Sequence, residues 1–258
     1  LSGKMHFVGA DQLHGFSRRL NTDIYPADFD WTRPEWVAMK ESKGEDWRNI
    51  MENRTQYNAS QYGPDAVKID VQHGPLSYDE ETHFRAKQYL NARGNNPEPF
   101  MLTVSYHHPH EPFWPPKKYW DMYEGEQIDI PELPDNLEET QSMMDVWLNA
   151  YHGVKRYDLR DPEGLYRLRR AYYALMTYMD DLVGELLETL ERTGLDKNTI
   201  VVFSSDHGDM LAEREMVQKR AFYEYCSRVP LIVKYPDNRH AGTVVNTPVT
   251  TLDLLPTF

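Results

Sequence analysis

The sequence predicts an α/β fold with a mostly parallel central sheet flanked by helices. A long amphipathic helix is expected at residues 165–192, where apolar residues recur at three- and four-residue steps before Gly194. Short apolar runs on either side, at 100–105, 199–203 and 229–234, have the length of buried strands. Strands separated by a long helix are typical of α/β domains with parallel pairing.

Three other segments complete the predicted framework. Residues 78–92 have the spacing of a second amphipathic helix, with Asp79, Glu80 and Glu81 in its first turn, where they oppose the helix dipole. Residues 31–75 and 113–162 show no clear period, so we expect loops and short helices there. A long irregular connection inside a compact domain is often functional.

Composition excludes several classes of partner. The chain has 258 residues, of which 40% are hydrophobic and 27% charged, as in globular proteins. No apolar run approaches the roughly 18 residues that span a bilayer, so no membrane partner is expected. The net charge is −13 without a basic stripe, which argues against nucleic acid. A single cysteine, Cys226, excludes an intrachain disulfide and favours a cytoplasmic location, with the periplasm as the alternative.

Polar residues follow two of the predicted strands. The segment 204–209 contains Asp206 and His207, and the segment 107–110 contains three histidines. In open α/β sheets the ligand crevice lies beyond the carboxyl ends of the strands. Asp206 and His207 can offer an oxygen and an imidazole nitrogen to one divalent cation. The alternative is a simple turn in which the aspartate caps and the histidine packs.

Two lysines accompany these donors. Lys4 and His6 are two residues apart and point to the same side of an extended segment. Lys219 lies thirteen residues beyond Asp206. Each lysine alone could be a solvated surface charge, and the histidines at 107–110 could form a zinc site, although no Cys pair accompanies them. Together, the cations and metal donors suit binding and cleavage of a tetrahedral oxyanion ester.

Seven segments resemble the type I sulfatases of the alkaline phosphatase superfamily, in particular their choline-sulfatase branch. The segments keep the family's order along the chain: GKMHFVG (3–9), DQLHGF (11–16), TDIYPAD (22–28), PHEP (109–112), SDHGDML (205–211), QKRAFYE (218–224) and RVPL (228–231). The resemblance implies an alkaline-phosphatase-like α/β fold. It also implies that residues 1–258 are the central part of a catalytic domain, truncated at both ends.

The resemblance further implies a metal and a modified nucleophile. Asp206 and His207 match two ligands of one divalent metal, calcium first, with manganese or magnesium as alternatives. Family enzymes use a formylglycine made in a Cys/Ser-x-Pro-x-Arg motif, which this sequence lacks. Cys226 is followed by Arg and Pro in a different order, so we interpret it as a packed residue. The formylglycine is therefore expected upstream of Leu1, and these residues alone are expected to be inactive.

Four residues match the family's catalytic positions. Lys4 corresponds to a lysine that contacts a sulfate oxygen, and His6 to a histidine that helps to resolve the covalent intermediate. His110 corresponds to the histidine that protonates the leaving alcohol. Lys219 corresponds to a lysine that bridges the sulfate and the leaving-group oxygen.

The implied function is hydrolysis of a small alkyl sulfate, with choline sulfate as the first candidate. His14 and Trp47 are the predicted substrate contacts, and packing is the alternative for Trp47. A phosphonate monoester or phosphodiester hydrolase of the same superfamily is one alternative, and a non-catalytic anion-binding protein is another. The expected partners are a small sulfate ester and, in a homo-oligomer, further copies of the protein.

Overall fold

The computed structural model describes residues 1–25, 47–94, 96 and 98–258, and only the backbone at 47–51, 53 and 54. The helices are α1 (Trp47–Tyr62), α2 (Gly74–Arg93), α3 (Lys117–Asp121), α4 (Leu137–Thr140), α5 (Met143–His152), α6 (Pro162–Thr193), α7 (Glu224–Ser227) and α8 (Leu254–Thr257). The strands are β1 (Ser2–Gly3), β2 (Val104–Ser105), β3 (Val201–Ser204), β4 (Met210–Leu211), β5 (Val217–Gln218) and β6 (Leu231–Lys234).

The long helix α6 confirms the helix predicted at residues 165–192. It begins earlier than predicted because Pro162 occupies its first position and the Asp161 carboxylate accepts hydrogen bonds from the amides of Glu163 and Gly164. It ends at Gly194, whose φ of 72° is the left-handed conformation of a helix C-cap. No described helix, α6 included, is both long enough and apolar enough to cross a membrane.

Helix α2 confirms the second predicted helix but begins at Gly74 rather than near residue 78. Asp79 is therefore not in the first turn, as the sequence predicted, and it is completely buried. Helices α2 and α6 pack side by side, and Glu185 of α6 contacts His83 and Lys87 of α2 at 3.1 Å and 2.6 Å. Because Asp79 is buried, its carboxylate contacts other groups inside the fold and not water.

The described strands form three pairs. Strands β1 and β2 are parallel, with Ser2 opposite Val104, as expected for an α/β fold. Strands β3 and β6 pair antiparallel, as do β4 and β5, and this differs from the parallel arrangement that the sequence predicted. A parallel neighbour needs a crossover of a dozen or more residues, usually a helix. Between β3 and β6 the chain instead forms the β4–β5 hairpin and the four-residue helix α7.

The core lies against α6 and fixes the hairpin that precedes Lys219. Leu168, Ala171 and Leu175 of α6 are fully buried at 0% exposure. They belong to one apolar cluster with Leu211 of β4 and Val217 of β5. The chain that follows β5 is therefore anchored to the longest helix of the fold.

Candidate functional site

The end of β1 places Lys4 beside the end of β2. The amide of Lys4 donates to the carbonyl of Ser105 at 2.9 Å, which continues the parallel pairing by one residue. Gly3, with φ of 109°, makes this approach feasible, because a Cβ there would lie 1.8 Å from the Ser105 oxygen. The parallel pairing of β1 with β2 thus brings the residues that follow both strands to one edge.

A buried carboxylate holds the segment after β1. Asp23 accepts a hydrogen bond from the amide of His6 at 2.9 Å and from Arg19 at 3.0 Å. Arg19 also donates to the Gly3 carbonyl at 2.9 Å. This network sets the direction in which Lys4 leaves the strand, and Lys4 is only 6% exposed.

Both basic groups of this segment are disfavoured as cations. Burial lowers the pKa of Lys4, and the neighbouring Lys219 lowers it further. Burial and Lys4 lower the pKa of His6 to about 4, so its imidazole, which stacks on Tyr25 at 4.8 Å, is neutral near pH 7. The ammonium groups of Lys4 and Lys219 therefore repel each other in a region with little water.

The loop after β2 is fixed by Asp79. Its carboxylate accepts from the amides of His107 and His108 at 2.6 Å and 3.0 Å, and lies 2.7 Å from Nδ1 of the His108 ring. The His107 ring in turn lies 4.6 Å from the ring of His110. Asp79 of α2 therefore determines where His110 is presented.

His110 and Lys219 form a direct contact. Lys219 Nζ lies 2.5 Å from His110 Nε2, although the two residues are 109 positions apart. Lys219 is flanked by Gln218 and Arg220, whose φ values of 67° and 78° are uncommon for residues with side chains. Backbone strain of this kind clusters at functional sites. Burial lowers the pKa of Lys219, and Glu111 opposes that shift.

Asp206 and His207 lie directly after β3. Nδ1 of His207 lies 2.8 Å from the Gly208 carbonyl, so this nitrogen carries the proton and Nε2 keeps a lone pair. Nε2 lies 3.6 Å from Asp206 Oδ2, and the His207 ring is 6.3 Å from that of His110. A lone pair beside a carboxylate oxygen fits a divalent cation. In the part of the chain that the structure describes, no three His, Cys, Asp or Glu side chains form a metal site.

Electrostatics link these loops into one cluster. Burial acts to raise the pKa of Asp206, but His207, Lys4 and Lys219 outweigh it and lower that pKa. Burial and the nearby carboxylate of Glu111 raise the pKa of Asp209 well above its usual value. Charges that follow four strands, β1, β2, β3 and β5, therefore act on one another in a single region, which we call the strand-end cluster.

The structure brings most of the predicted site residues together. The strand-end cluster contains Lys4, Lys219, His110, Asp206 and His207, and the field of Lys4, Lys219 and His110 reaches His6. The ring of His14 lies on an exposed loop against Phe7 at 4.3 Å. Trp47 begins α1, and its side chain lies outside the described residues.

Sequence reasoning missed four carboxylates of this region, of which Asp23 holds the segment after β1. Glu111 follows His110 directly, so its place beside a predicted proton donor was a usable signal. Asp209 stands in the same turn as Asp206 and could have been found in the same way. Asp79 gave no such signal, because it reaches its partners only through the packing of α2 against β2.

Comparison with known proteins identifies the family. The family model "Sulfatase" matches residues 21–258. The chain belongs to the sulfatase family. This confirms the resemblance that the seven sequence segments indicated, and with it the alkaline-phosphatase-like α/β fold class.

Two relatives and one solved structure illustrate the range of this sulfatase chain's similarity. It is 41% identical over 265 residues to the choline-sulfatase of Rhizobium meliloti strain 1021, covering 100% of this chain and 48% of that protein. It is 31% identical over 234 residues to the ulvan-active sulfatase of Formosa agariphila, covering 88% and 40%. The phosphonate monoester hydrolase from Silicibacter pomeroyi shares the fold, with a TM-score of 0.58 and 19% identity over 86% of this chain and 44% of that one. The chain thus spans about half the length of the curated relatives it matches.

Proposed function

We propose that the intact protein hydrolyses a small alkyl sulfate, with choline sulfate as the first candidate. The observation that carries the proposal is the contact between Lys219 and His110 beside Lys4, Asp206 and His207. Membership of the sulfatase family and the 41% identity to a choline-sulfatase support it. Choline as the alcohol rests on that relative alone.

In this proposal the two lysines hold the sulfate. Each is a cation whose pKa is lowered by burial, so an anion between them would restore the charged state that water normally stabilises. Fixed cations of this kind stabilise the charge that develops on non-bridging oxygens in the transition state. Lys219 would also reach the oxygen that leaves with the alcohol.

His110 would protonate the leaving alcohol, and His6 would assist in freeing the enzyme from its sulfated form. His6 suits a role as a base, since its pKa of about 4 leaves it neutral near pH 7. His14 and Trp47 remain the proposed contacts of the alcohol. An aromatic face such as that of Trp47 suits a trimethylammonium group.

Asp206 and His207 would hold one divalent cation, for which calcium is the first choice and manganese or magnesium the alternatives. When bound, such an ion supplies positive charge to the sulfate oxygens. We further propose that the nucleophile is a formylglycine from a segment outside these 258 residues, since the motif in which it forms does not occur among them.

The test is an assay of the intact protein on choline sulfate, 4-nitrophenyl sulfate and bis(4-nitrophenyl) phosphate. The proposal expects the highest kcat/KM for choline sulfate, and loss of that activity in a chelator with recovery on adding calcium or manganese. An Asp206→Ala variant should fail to recover. A higher kcat/KM for the phosphodiester would overturn the sulfatase assignment in favour of the phosphodiester hydrolase alternative. Absence of all three activities would favour the anion-binding alternative.

A further inference from the structure

We propose that Glu111 is a positioning residue that fixes the ring and the tautomer of His110. Oε2 of Glu111 lies 2.9 Å from His110 Nδ1, and the two side chains are only 10% and 11% exposed. The other carboxylate oxygen accepts from the side-chain amide of Gln218. The carboxylate is therefore held from both sides and cannot turn away from the imidazole. This inference deepens the function proposed above and rests on it.

The hydrogen-bond partners of its two ring nitrogens determine which nitrogen of His110 carries the proton. Nδ1 faces two acceptors, the Glu111 carboxylate and, at 3.2 Å, the Glu111 carbonyl, so it must be an N–H. Nε2 faces Lys219 Nζ at 2.5 Å, and an ammonium group can only donate. In the resting site, the lone pair of Nε2 therefore accepts a hydrogen bond from Lys219.

This arrangement gives Glu111 a task during cleavage. When the S–O bond breaks, its electron pair stays on the alcohol oxygen, which takes a proton from His110 Nε2. Lys219 Nζ supplies that proton to Nε2, becomes a neutral amine, and later regains a proton from water. While His110 carries both protons it is a cation, and the carboxylate at Nδ1 stabilises it, as an aspartate does in a Ser-His-Asp triad.

Two substrates with different leaving groups distinguish this role of Glu111 from a purely structural one. An alkoxide such as that of choline needs a proton as it leaves, whereas 4-nitrophenolate does not. In the intact protein, Glu111→Gln should lower kcat on choline sulfate about 10- to 100-fold, the loss typical for a carboxylate that orients a metal-bound histidine, with little change in KM. The same variant should retain most of its activity on 4-nitrophenyl sulfate. Equal losses on both substrates, or no loss on either, would refute the role.

A double-mutant cycle covers the case in which Glu111→Gln perturbs the fold. If Glu111 acts through His110, adding Glu111→Gln to a His110→Asn variant should cause no further loss. A multiplicative further loss would overturn the inference. Glu185→Gln is the matched control, because it removes a similar carboxylate–histidine contact, 3.1 Å from His83, between α2 and α6, and should leave both activities unchanged.

The result for Glu111 stays separate from the result for the overall function. If the unmodified protein prefers a phosphodiester, the sulfatase proposal fails, while alkyl and aryl phosphodiesters still test Glu111 through the same leaving-group comparison. If the protein cleaves choline sulfate and Glu111→Gln acts equally on both leaving groups, only the role of Glu111 fails.

Discussion

Two regions of the molecule use the same carboxylate chemistry in different surroundings. At the start of α6 the Asp161 carboxylate accepts from two backbone amides while it is exposed to water. Beneath the loop that carries His110 to the strand-end cluster, the Asp79 carboxylate of α2 also accepts from two backbone amides, but with 0% exposure. Water can replace the first carboxylate and cannot reach the second. The cost of losing each should differ accordingly.

The lysines of the two regions also differ in their surroundings. Around α2 and α6, lysines meet carboxylates directly, as Lys87 does with Glu185 at 2.6 Å. In the strand-end cluster, Lys4 is buried beside a second cation, Lys219, and burial lowers the pKa of both. The lysines of the helices are therefore neutralised by carboxylates of the neighbouring helix. Two buried lysines side by side suit the bound anion of the proposed function.

The largest expected effect is that of removing a cation from the cluster. In the intact protein, Lys219→Met should reduce kcat/KM on choline sulfate about 10²- to 10³-fold, the usual cost of losing one group that stabilises developing negative charge. The substitution relieves repulsion with Lys4 but also removes attraction to Asp206 and Glu111, so the melting temperature of the variant is measured alongside kcat/KM. The control is Lys118→Met, which removes a lysine of α3 that is paired with Asp181 of α6 at 2.8 Å and should leave kcat/KM unchanged. Equal losses from both variants would contradict the contrast between the regions.

The second prediction concerns Asp79. Asp79→Ala leaves the amides of His107 and His108 buried without an acceptor, so it should reduce the free energy of unfolding by about 4 kcal/mol. Urea denaturation of the intact protein measures this change. Activity should fall as well, since the loop that presents His110 loses its anchor. Asp161→Ala, which removes the exposed carboxylate, is the comparison. If Asp79→Ala lowered the free energy of unfolding no more than Asp161→Ala does, burial would not determine how much each carboxylate contributes to stability.

The contrast also explains what the sequence could predict. Helix α6 was found because each turn repeats the same apolar signal, and the loops after β2 and β3 were found because polar residues follow short apolar runs. The two-residue strand β1 was not predicted, because Ser2 and Gly3 give no apolar signal. The carboxylates that hold the site were not found. Asp79 is 28 residues from the amide of His107, and Glu111 is 107 residues from Gln218. A local sequence pattern cannot reveal either contact, because such contacts form only when separate elements pack together.

The third prediction is a pH dependence of stability from His152, in the last turn of α5. Burial, with Arg220 nearby, lowers its pKa to about 4, and within the described part of the chain neither ring nitrogen has a hydrogen-bond partner. Well above pH 6.5 the ring is neutral in both the folded and the unfolded protein. As the pH falls from 6.5 towards 4, the unfolded chain binds the proton first, so stability decreases.

The expected loss from His152 is about 2 to 3 kcal/mol over that window, at 1.36 kcal/mol for each pKa unit. The measurement is urea denaturation of the intact protein and of His152→Gln at pH 7 and pH 4.5. The variant should lose less stability than the unmodified protein over this interval. Identical losses would mean that the folded protein accommodates a charged His152.

The smallest expected effect is that of removing the N-cap side chain of α6. Asp161→Ala removes the side chain that caps the amides of Glu163 and Gly164, but water can hydrogen-bond both amides in its place. The free energy of unfolding should therefore fall by about 1 kcal/mol, and kcat/KM should not change. Asp161→Asn keeps an acceptor oxygen and should restore most of the loss. If Asp161→Ala instead cost as much as Asp79→Ala, the start of α6 would be as dependent on its carboxylate as the buried loop, and exposure to water would not distinguish the two regions.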